Sequence, residues 1–104
     1  MSSIHLHPRV VFYRDGSHWI AHCLEFDLIG DGATREDALE RLNEEISLQV
    51  ESFSAGRNPS NLFRPADREY FAMYEAGTDI KPGQLHLSTY QVVIDETHAR
   101  EYRR

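Results

Sequence analysis

The sequence lacks the features that mark several large classes of protein. It has one cysteine in 104 residues, which excludes an internal disulfide framework. No stretch approaches the ~20 consecutive apolar residues of a membrane-spanning helix, and the first ten residues lack the apolar core of a signal peptide. Together these absences predict a soluble, cytoplasmic protein that makes no membrane contact.

The motifs of nucleotide chemistry are also missing. The short glycine segment at 30–32 does not match a dinucleotide-binding or P-loop fingerprint. There is no internal repeat and no low-complexity stretch. With 40% hydrophobic and 27% charged residues, the composition is that of an ordinary globular chain. We therefore expect a single domain, with a core over residues 4–54 and a C-terminal extension over residues 55–104.

Negative charge is in excess and unevenly distributed. The net charge is −6, and residues 34–53 alone hold six acids against two arginines. Because phosphate neutralisation supplies most non-specific affinity for nucleic acids, an acidic chain is poorly suited to bind them. The charge fits a basic protein partner, or it serves only to keep the domain in solution. The last seven residues are basic instead, with three arginines against one glutamate.

The N-terminal half has the pattern of a hairpin. Alternating residues predict strands at 4–13 and 18–24, joined at an Asp-Gly turn in a register that sets Phe12 opposite Trp19. Pro8 indicates a bulge or a sheet edge in the first strand. One face is almost wholly apolar and should accept a helix, whereas the other should look toward solvent or a partner. The apolar face holds Leu6, Val10, Phe12, Trp19, Ala21 and Cys23. The second face holds His5, His7, Arg9, Tyr13, His18 and His22, with Val11, Ile20 and Leu24 among them.

A helix follows the hairpin. A short third strand at 26–29 and a glycine turn at 30–32 lead to a helix over 34–53, capped by Thr34. Its buried stripe consists of Ala38, Leu39, Leu42, Ile46, Val50 and Phe53.

The C-terminal half predicts fewer elements. A second, aromatic helix is expected at 65–76, with Pro65 in its first turn, followed by a turn at 81–83 and a strand at 86–95. The predicted fold class is α+β. It consists of an antiparallel three- to four-stranded sheet with the helices on one face.

Three groups of side chains have residue types that can carry chemistry. His5 and His7 form a His-X-His pair that could bind zinc with two further ligands, which leaves a metal-binding protein as a remote alternative. A nuclease site would need convergent carboxylates, and the available ones, Glu25, Asp27 and Asp31, lie at strand ends on alternating faces. Cys23 faces the expected core. We therefore expect no catalytic residue, no cofactor and no metal ligand, and the chain is not predicted to be an enzyme.

The segment from His18 to Glu45 resembles the central unit of the HicB-like antitoxin family, and the likeness extends over about residues 10 to 50. The matching positions are Ala21-His22-Cys23, Gly30, the run Gly32-Ala33-Thr34-Arg35-Glu36-Asp37-Ala38-Leu39, and then Leu42 and Ile46. The resemblance implies a partial ribonuclease H-like topology without a nuclease site. It also implies a domain that docks on a small basic HicA-like toxin and covers its RNA-cleaving surface.

The chain departs from the family after residue 54. Many members continue with a ribbon-helix-helix or helix-turn-helix module, whereas this sequence has no recognisable DNA-binding motif, so operator binding is not expected. An orphan interaction or oligomerisation module of the same fold is the alternative to an antitoxin. Open sheet edges and the aromatic helix predict a homodimer or a higher even-numbered oligomer. The candidate contacts are Tyr13, His18 and His22 on the sheet face, and Glu36, Glu40, Glu44 and Glu45 on the helix.

Overall fold

The computed structural model describes residues 4–54, 63–81 and 92–103. In chain order the elements are β1 (Ile4–Leu6), β2 (Arg9–Asp15), β3 (His18–Cys23), β4 (Leu28–Gly32), α1 (Arg35–Ser54), α2 (Arg68–Ala76), β5 (Thr78–Asp79), β6 (Val92–Ile94) and β7 (His98–Glu101). The chain is therefore α+β, as predicted. Most of the turn predicted at 81–83 and the first half of the strand predicted at 86–95 lie outside the described residues.

Within the described residues, the main sheet has five strands in the order β4-β3-β2-β7-β5. Its neighbours pair antiparallel except β2 and β7, which run parallel. The prediction of a purely antiparallel sheet of three or four strands was therefore wrong. The difference arises at the C-terminus, because the segment interpreted as a basic tail supplies β7, an interior strand. A separate two-stranded parallel pair joins β1 to β6.

The hairpin of β2 and β3 differs from the predicted register by two residues. Phe12 pairs with Ala21 rather than with Trp19. The turn lies at Gly16 and Ser17, and Gly16 has a φ of +63°, the backbone conformation that a type II′ turn requires at its first central position. Because side chains alternate with a period of two, a shift by two leaves every residue on its predicted face.

The apolar face of the hairpin packs against α1, as predicted. Thr34 caps this helix: its Oγ1 accepts a hydrogen bond from the backbone N–H of Asp37 at 3.1 Å. The buried helical stripe includes Ala38, Leu39, Leu42, Ile46 and Val50, while the side chain of Phe53 lies outside the described part. The rest of this core comes from three places: Val10, Phe12, Ala21, Cys23 and Ala99 of the main sheet, Leu6 and Ile94 of the β1–β6 pair, and Phe26 of the β3–β4 turn, with Trp19 partly buried beside them.

The glycine segment predicted as a turn is part of β4. A Cβ on Gly30 would lie 2.8 Å from the Cα of Leu42 and closer still to two other backbone atoms of α1. A Cβ on Gly32 would lie 2.6 Å from the Cβ of Asp37. These glycines therefore let the helix backbone approach the strand, rather than reversing the chain direction.

Helix α2 packs on the face opposite to α1, so the expectation that both helices share one face was wrong. It is confirmed as a helix, although it begins at Arg68, three residues after Pro65. Gly77 follows its end and donates its N–H to the carbonyl of Tyr74 at 3.1 Å. The second cluster that α2 completes consists of Val11, Tyr13, Ile20, Leu24, Ala66 and Met73, with Tyr70, Phe71, Tyr74 and Tyr102 partly buried against it.

The substitution Leu42→Ala should lower the free energy of unfolding by about 2–5 kcal/mol. Leu42 is fully buried between α1 and the sheet, so truncation removes apolar contact and leaves a cavity. Leu48→Ala is the matched control on the same helix, because that side chain is 60% exposed and its loss should cost less than about 0.5 kcal/mol. Urea denaturation measures both. Equal losses for the two variants would mean that this face of α1 is not the core.

Candidate partner-binding surfaces

The outer side of α1 carries a row of exposed residues that we name the acidic ridge: Glu36, Glu40, Glu44 and Leu48. They are spaced by four residues, so they follow one line along the helix. The core stripe occupies the opposite side of the helix, which is why this row faces solvent. Glu45, the other predicted contact on this helix, is only half exposed.

Much of the charge of the acidic ridge is uncompensated. Arg41 lies 3.7 Å from Glu44 and 3.9 Å from Glu45, in exposed pairs that contribute little stability. Within the part of the chain that the structure describes, no cation lies within 4.0 Å of a carboxylate oxygen of Glu36 or Glu40. In the N-terminal half of the ridge, Glu36 and Glu40 therefore present negative charge that has no ion-pair partner among the described residues. At its C-terminal end the ridge presents the exposed side chain of Leu48.

The fold buries two of the three predicted contacts on the sheet face and leaves the third exposed. Tyr13 and His22 come together beneath α2, where His22 is only 1% exposed, so the expectation that their face of the sheet looks toward solvent or a partner was wrong for these two residues. The signal in the sequence that could have predicted this burial was the aromatic character of α2, because that helix covers their face of the sheet. His18 remains exposed beside the hairpin turn, with its Nδ1 3.7 Å from a carboxylate oxygen of Asp31.

His22 is the buried centre of a polar network that the sequence did not predict and that reaches the surface at Asp27. Its Nε2 lies 2.7 Å from Asp27 Oδ1, and its Nδ1 lies 3.3 Å from the hydroxyl of Tyr13. Since a carboxylate only accepts hydrogen bonds, Nε2 carries a proton, and in the neutral ring Nδ1 accepts from Tyr13. The ring of Tyr70 lies 4.4 Å away. The network ties the β3–β4 turn, the sheet and α2 together.

The turn that supplies Asp27 has an unusual backbone. Asp27 has a φ of +52°, in the left-handed region that residues other than glycine rarely adopt. Aspartate tolerates this conformation better than most residues, and here its carboxylate accepts from His22. The sequence interpretation had placed Asp27 in a strand at 26–29, whereas the strand begins at Leu28.

The carboxylates considered for a nuclease each have a different partner. Glu25 accepts from both the backbone N–H and the Nε of Arg9 at 2.7 Å, while Asp27 accepts from His22. Asp31 lies beside His18 at the far end of the hairpin. The structure therefore places these acids in separate pairs, with Glu25 and Asp27 in the β3–β4 turn and Asp31 on β4.

Cys23 is buried within the main core. Burial, with a smaller contribution from the charge of Glu25, raises the pKa of its thiol from 9.0 to about 12. The reactive thiolate is therefore about 1,000-fold scarcer near neutral pH than in an ordinary exposed thiol. This agrees with the interpretation of Cys23 as a small buried hydrophobic residue.

Cys23 should consequently resist thiol reagents in the folded protein. We expect labelling at pH 8 to be at least about 1,000-fold slower in native buffer than in denaturant, because the native thiol is both protonated and inaccessible. Mass spectrometry of the labelled chain over time measures the two rates. Similar rates in native and denaturing buffer would show that this strand of the sheet opens readily.

A groove around Trp19 was not anticipated from the sequence. It has a volume of about 560 Å³ and is lined by Arg14, Trp19, Arg35, Glu101, Tyr102 and Arg103. The guanidinium groups of Arg14 and Arg35 lie 5.1 and 5.7 Å from the indole ring. Buried Glu101 accepts from Arg35 at 2.9 Å and from Arg103 at 2.6 Å. The groove thus lies between the start of α1 and the C-terminal end of the chain around β7.

No family model matches this chain, and no curated protein or solved structure matches it either. The likeness to the HicB-like family therefore rests on the motif residues themselves. Neither helix within the described ranges combines the length and the apolar character needed to cross a bilayer.

Proposed function

We propose that this chain is a non-catalytic protein-binding domain of the HicB-like antitoxin kind. It docks a small basic HicA-like toxin on the acidic ridge and silences the toxin by covering its RNA-cleaving surface. The observation that carries the proposal is the exposed row of Glu36, Glu40 and Glu44, ending in Leu48, on a helix that is firmly packed on its other side. Such a row combines negative charge, which attracts a basic partner during the encounter, with an apolar side chain that can be buried in the interface.

The geometry of the motif supports the proposed kinship. Thr34 caps α1, Ala38 is fully buried beside the sheet, and Gly30 permits the close approach of strand and helix. The roles of Thr34 and Ala38 are those that the resemblance assigns to these positions, whereas it assigned Gly30 to a turn. The partial ribonuclease H-like topology belongs to the same proposal.

Of the two predicted contact surfaces, the helix is the better candidate. Tyr13 and His22 are covered by α2, so a partner could reach them only if that helix moved away. The glutamates of the ridge need no such rearrangement. A pre-formed surface binds without the cost of reorganising the free protein.

The test is inhibition of a small basic protein encoded beside this gene. The two chains are co-purified, and cleavage of a generic RNA by the basic chain is measured with increasing amounts of this protein. We expect a stable complex and complete inhibition near equimolar ratio, because occlusion is stoichiometric. Absence of binding, or binding that leaves RNA cleavage unchanged, would contradict the proposal. A neighbourhood without such a gene would favour the orphan interaction module.

We further propose that the protein self-associates through β4. Among the strands that the structure describes, β4 forms one edge of the main sheet, and its Ile29 is 46% exposed. An uncovered edge presents unpaired backbone groups to a second strand. Pairing of two β4 edges would extend the sheet across a two-fold axis and cover both isoleucines.

Sedimentation equilibrium at tens of micromolar should therefore give twice the chain mass. The variant Ile29→Lys should shift the protein toward the monomer, because two like charges would face each other across the paired edges. Thr78→Lys, at the opposite edge of the sheet, is the control and should leave the dimer intact. A wild-type monomer under these conditions would refute the predicted self-association.

A further inference from the structure

Two connections, from β1 to β2 and from β6 to β7, pass together from the small β1–β6 pair into the main sheet. We call this place the kink. On one side of the kink the N–H of Asp95 donates to the carbonyl of Leu6 at 3.0 Å. On the other side the N–H of His98 donates to the carbonyl of Pro8 at 2.9 Å. These bonds hold the 95–98 connection against the segment that contains His7, although the two are about ninety residues apart in sequence.

Three side chains of the types that can ligate a metal meet at this kink: His7, Glu96 and His98. One ligand atom from each lies within 4.8 Å of the others, and all three side chains are exposed. The two imidazole rings are nearly parallel, with centroids 6.4 Å apart. Ligand atoms around a tetrahedral zinc ion are about 3.3 Å apart, given metal–ligand distances near 2.0–2.1 Å. The present spacing is wider than this, so binding an ion requires the three exposed side chains to draw closer together.

A further carboxylate borders the cluster. Asp95 Oδ2 lies 3.6 Å from His7 Nε2 and 2.9 Å from His5 Nδ1. The surroundings of the three ligands are therefore negatively charged, which favours a divalent cation. A carboxylate beside a ligating imidazole also fixes the orientation of the ring in many metal sites.

We propose that His7, Glu96 and His98 form a divalent transition-metal site, with zinc the best-matched ion. Two imidazoles and one carboxylate suit zinc and its neighbours rather than magnesium or calcium, which prefer oxygen ligands. The bound ion clamps the start of β7 to the β1–β2 connection, and a fourth position remains open. This site is independent of the acidic ridge.

Zinc binding is measured on the untagged full chain by competition with a chromophoric chelator. We expect one equivalent to bind with a dissociation constant of about 1–10 µM, as suits three exposed ligands on a firm backbone. His7→Ala and His98→Ala should each weaken binding at least about 10-fold. The control is His18→Ala, which removes another exposed histidine beside an acid and should leave the affinity unchanged.

Thermal unfolding provides a second readout. Free zinc at about five times the wild-type dissociation constant should raise the midpoint of the wild type and of His18→Ala by about 5 °C, and that of His98→Ala by no more than about 1 °C. The proposal is overturned if the wild type binds zinc no more tightly than the double variant of His7 and His98. It is also overturned if His18→Ala loses as much affinity as the ligand variants.

Discussion

Replacing Gly30 by alanine should leave little folded protein, with a loss of at least about 3–5 kcal/mol. The added Cβ would lie 2.8 Å from Leu42 Cα and closer to the backbone N of Leu42 and the backbone O of Ala38. Backbone atoms of a packed helix cannot rotate away as a flexible side chain can. The helix must therefore separate from β4, which disrupts the main core. A loss of this size is a large share of the stability of a small domain.

Gly16→Ala is the matched control for this substitution. Gly16 also has a special conformation, with φ at +63°, but no heavy atom lies within 4 Å of its Cβ position. Alanine there should cost only about 1–3 kcal/mol, the penalty for holding a residue other than glycine in a conformation that a type II′ turn reserves for glycine. Circular dichroism with urea denaturation compares the two variants. If Gly30→Ala costs no more than Gly16→Ala, the close approach of α1 to β4 is not required for folding.

Reversing the charge of Glu36 and Glu40 to lysine should slow association with a basic partner by about 10- to 100-fold at low salt. These carboxylates contribute the uncompensated negative charge of the acidic ridge, and steering by such charge acts mainly on the association rate. The remaining association should depend much less on ionic strength than in the wild type. Stopped-flow mixing at several salt concentrations measures both effects.

The control for this reversal is Glu69→Lys with Glu75→Lys on α2. Both residues are exposed, and Glu69 lies in the first turn of its helix, as Glu36 does. The change in net charge is identical, so only the position differs. An equal slowing by the two double variants would mean that net charge, rather than the acidic ridge, steers the encounter.

The features that follow from local patterns were predictable from the sequence. The Thr34 cap, the buried stripe of α1 and the assignment of the hairpin faces depend on neighbouring residues and on the periods of helix and strand. The hairpin register was missed by two residues, because Asp15-Gly16 and Gly16-Ser17 are both acceptable turn dipeptides. Nothing local distinguishes these two turns.

The features set by distant contacts were not predictable. The residues of β7 are mostly polar and charged, and they form an interior strand because β2 and β5 flank them. The burial of His22 depends on α2, about fifty residues later in the chain. Gly30 and Gly32 resemble a turn in sequence, whereas their function is to accommodate the backbone of α1. In each case tertiary packing overrides the local preference.

Methyl NMR of the protein with its basic partner tests the docking surface most directly. Three side chains report on three surfaces: Leu48 on the acidic ridge, Ile29 on the β4 edge and Ile20 beneath α2. The account predicts that the Leu48 methyl signals shift on titration, while those of Ile29 and Ile20 stay in place. Shifts at Ile20 or Ile29 with Leu48 unchanged would contradict docking on the acidic ridge.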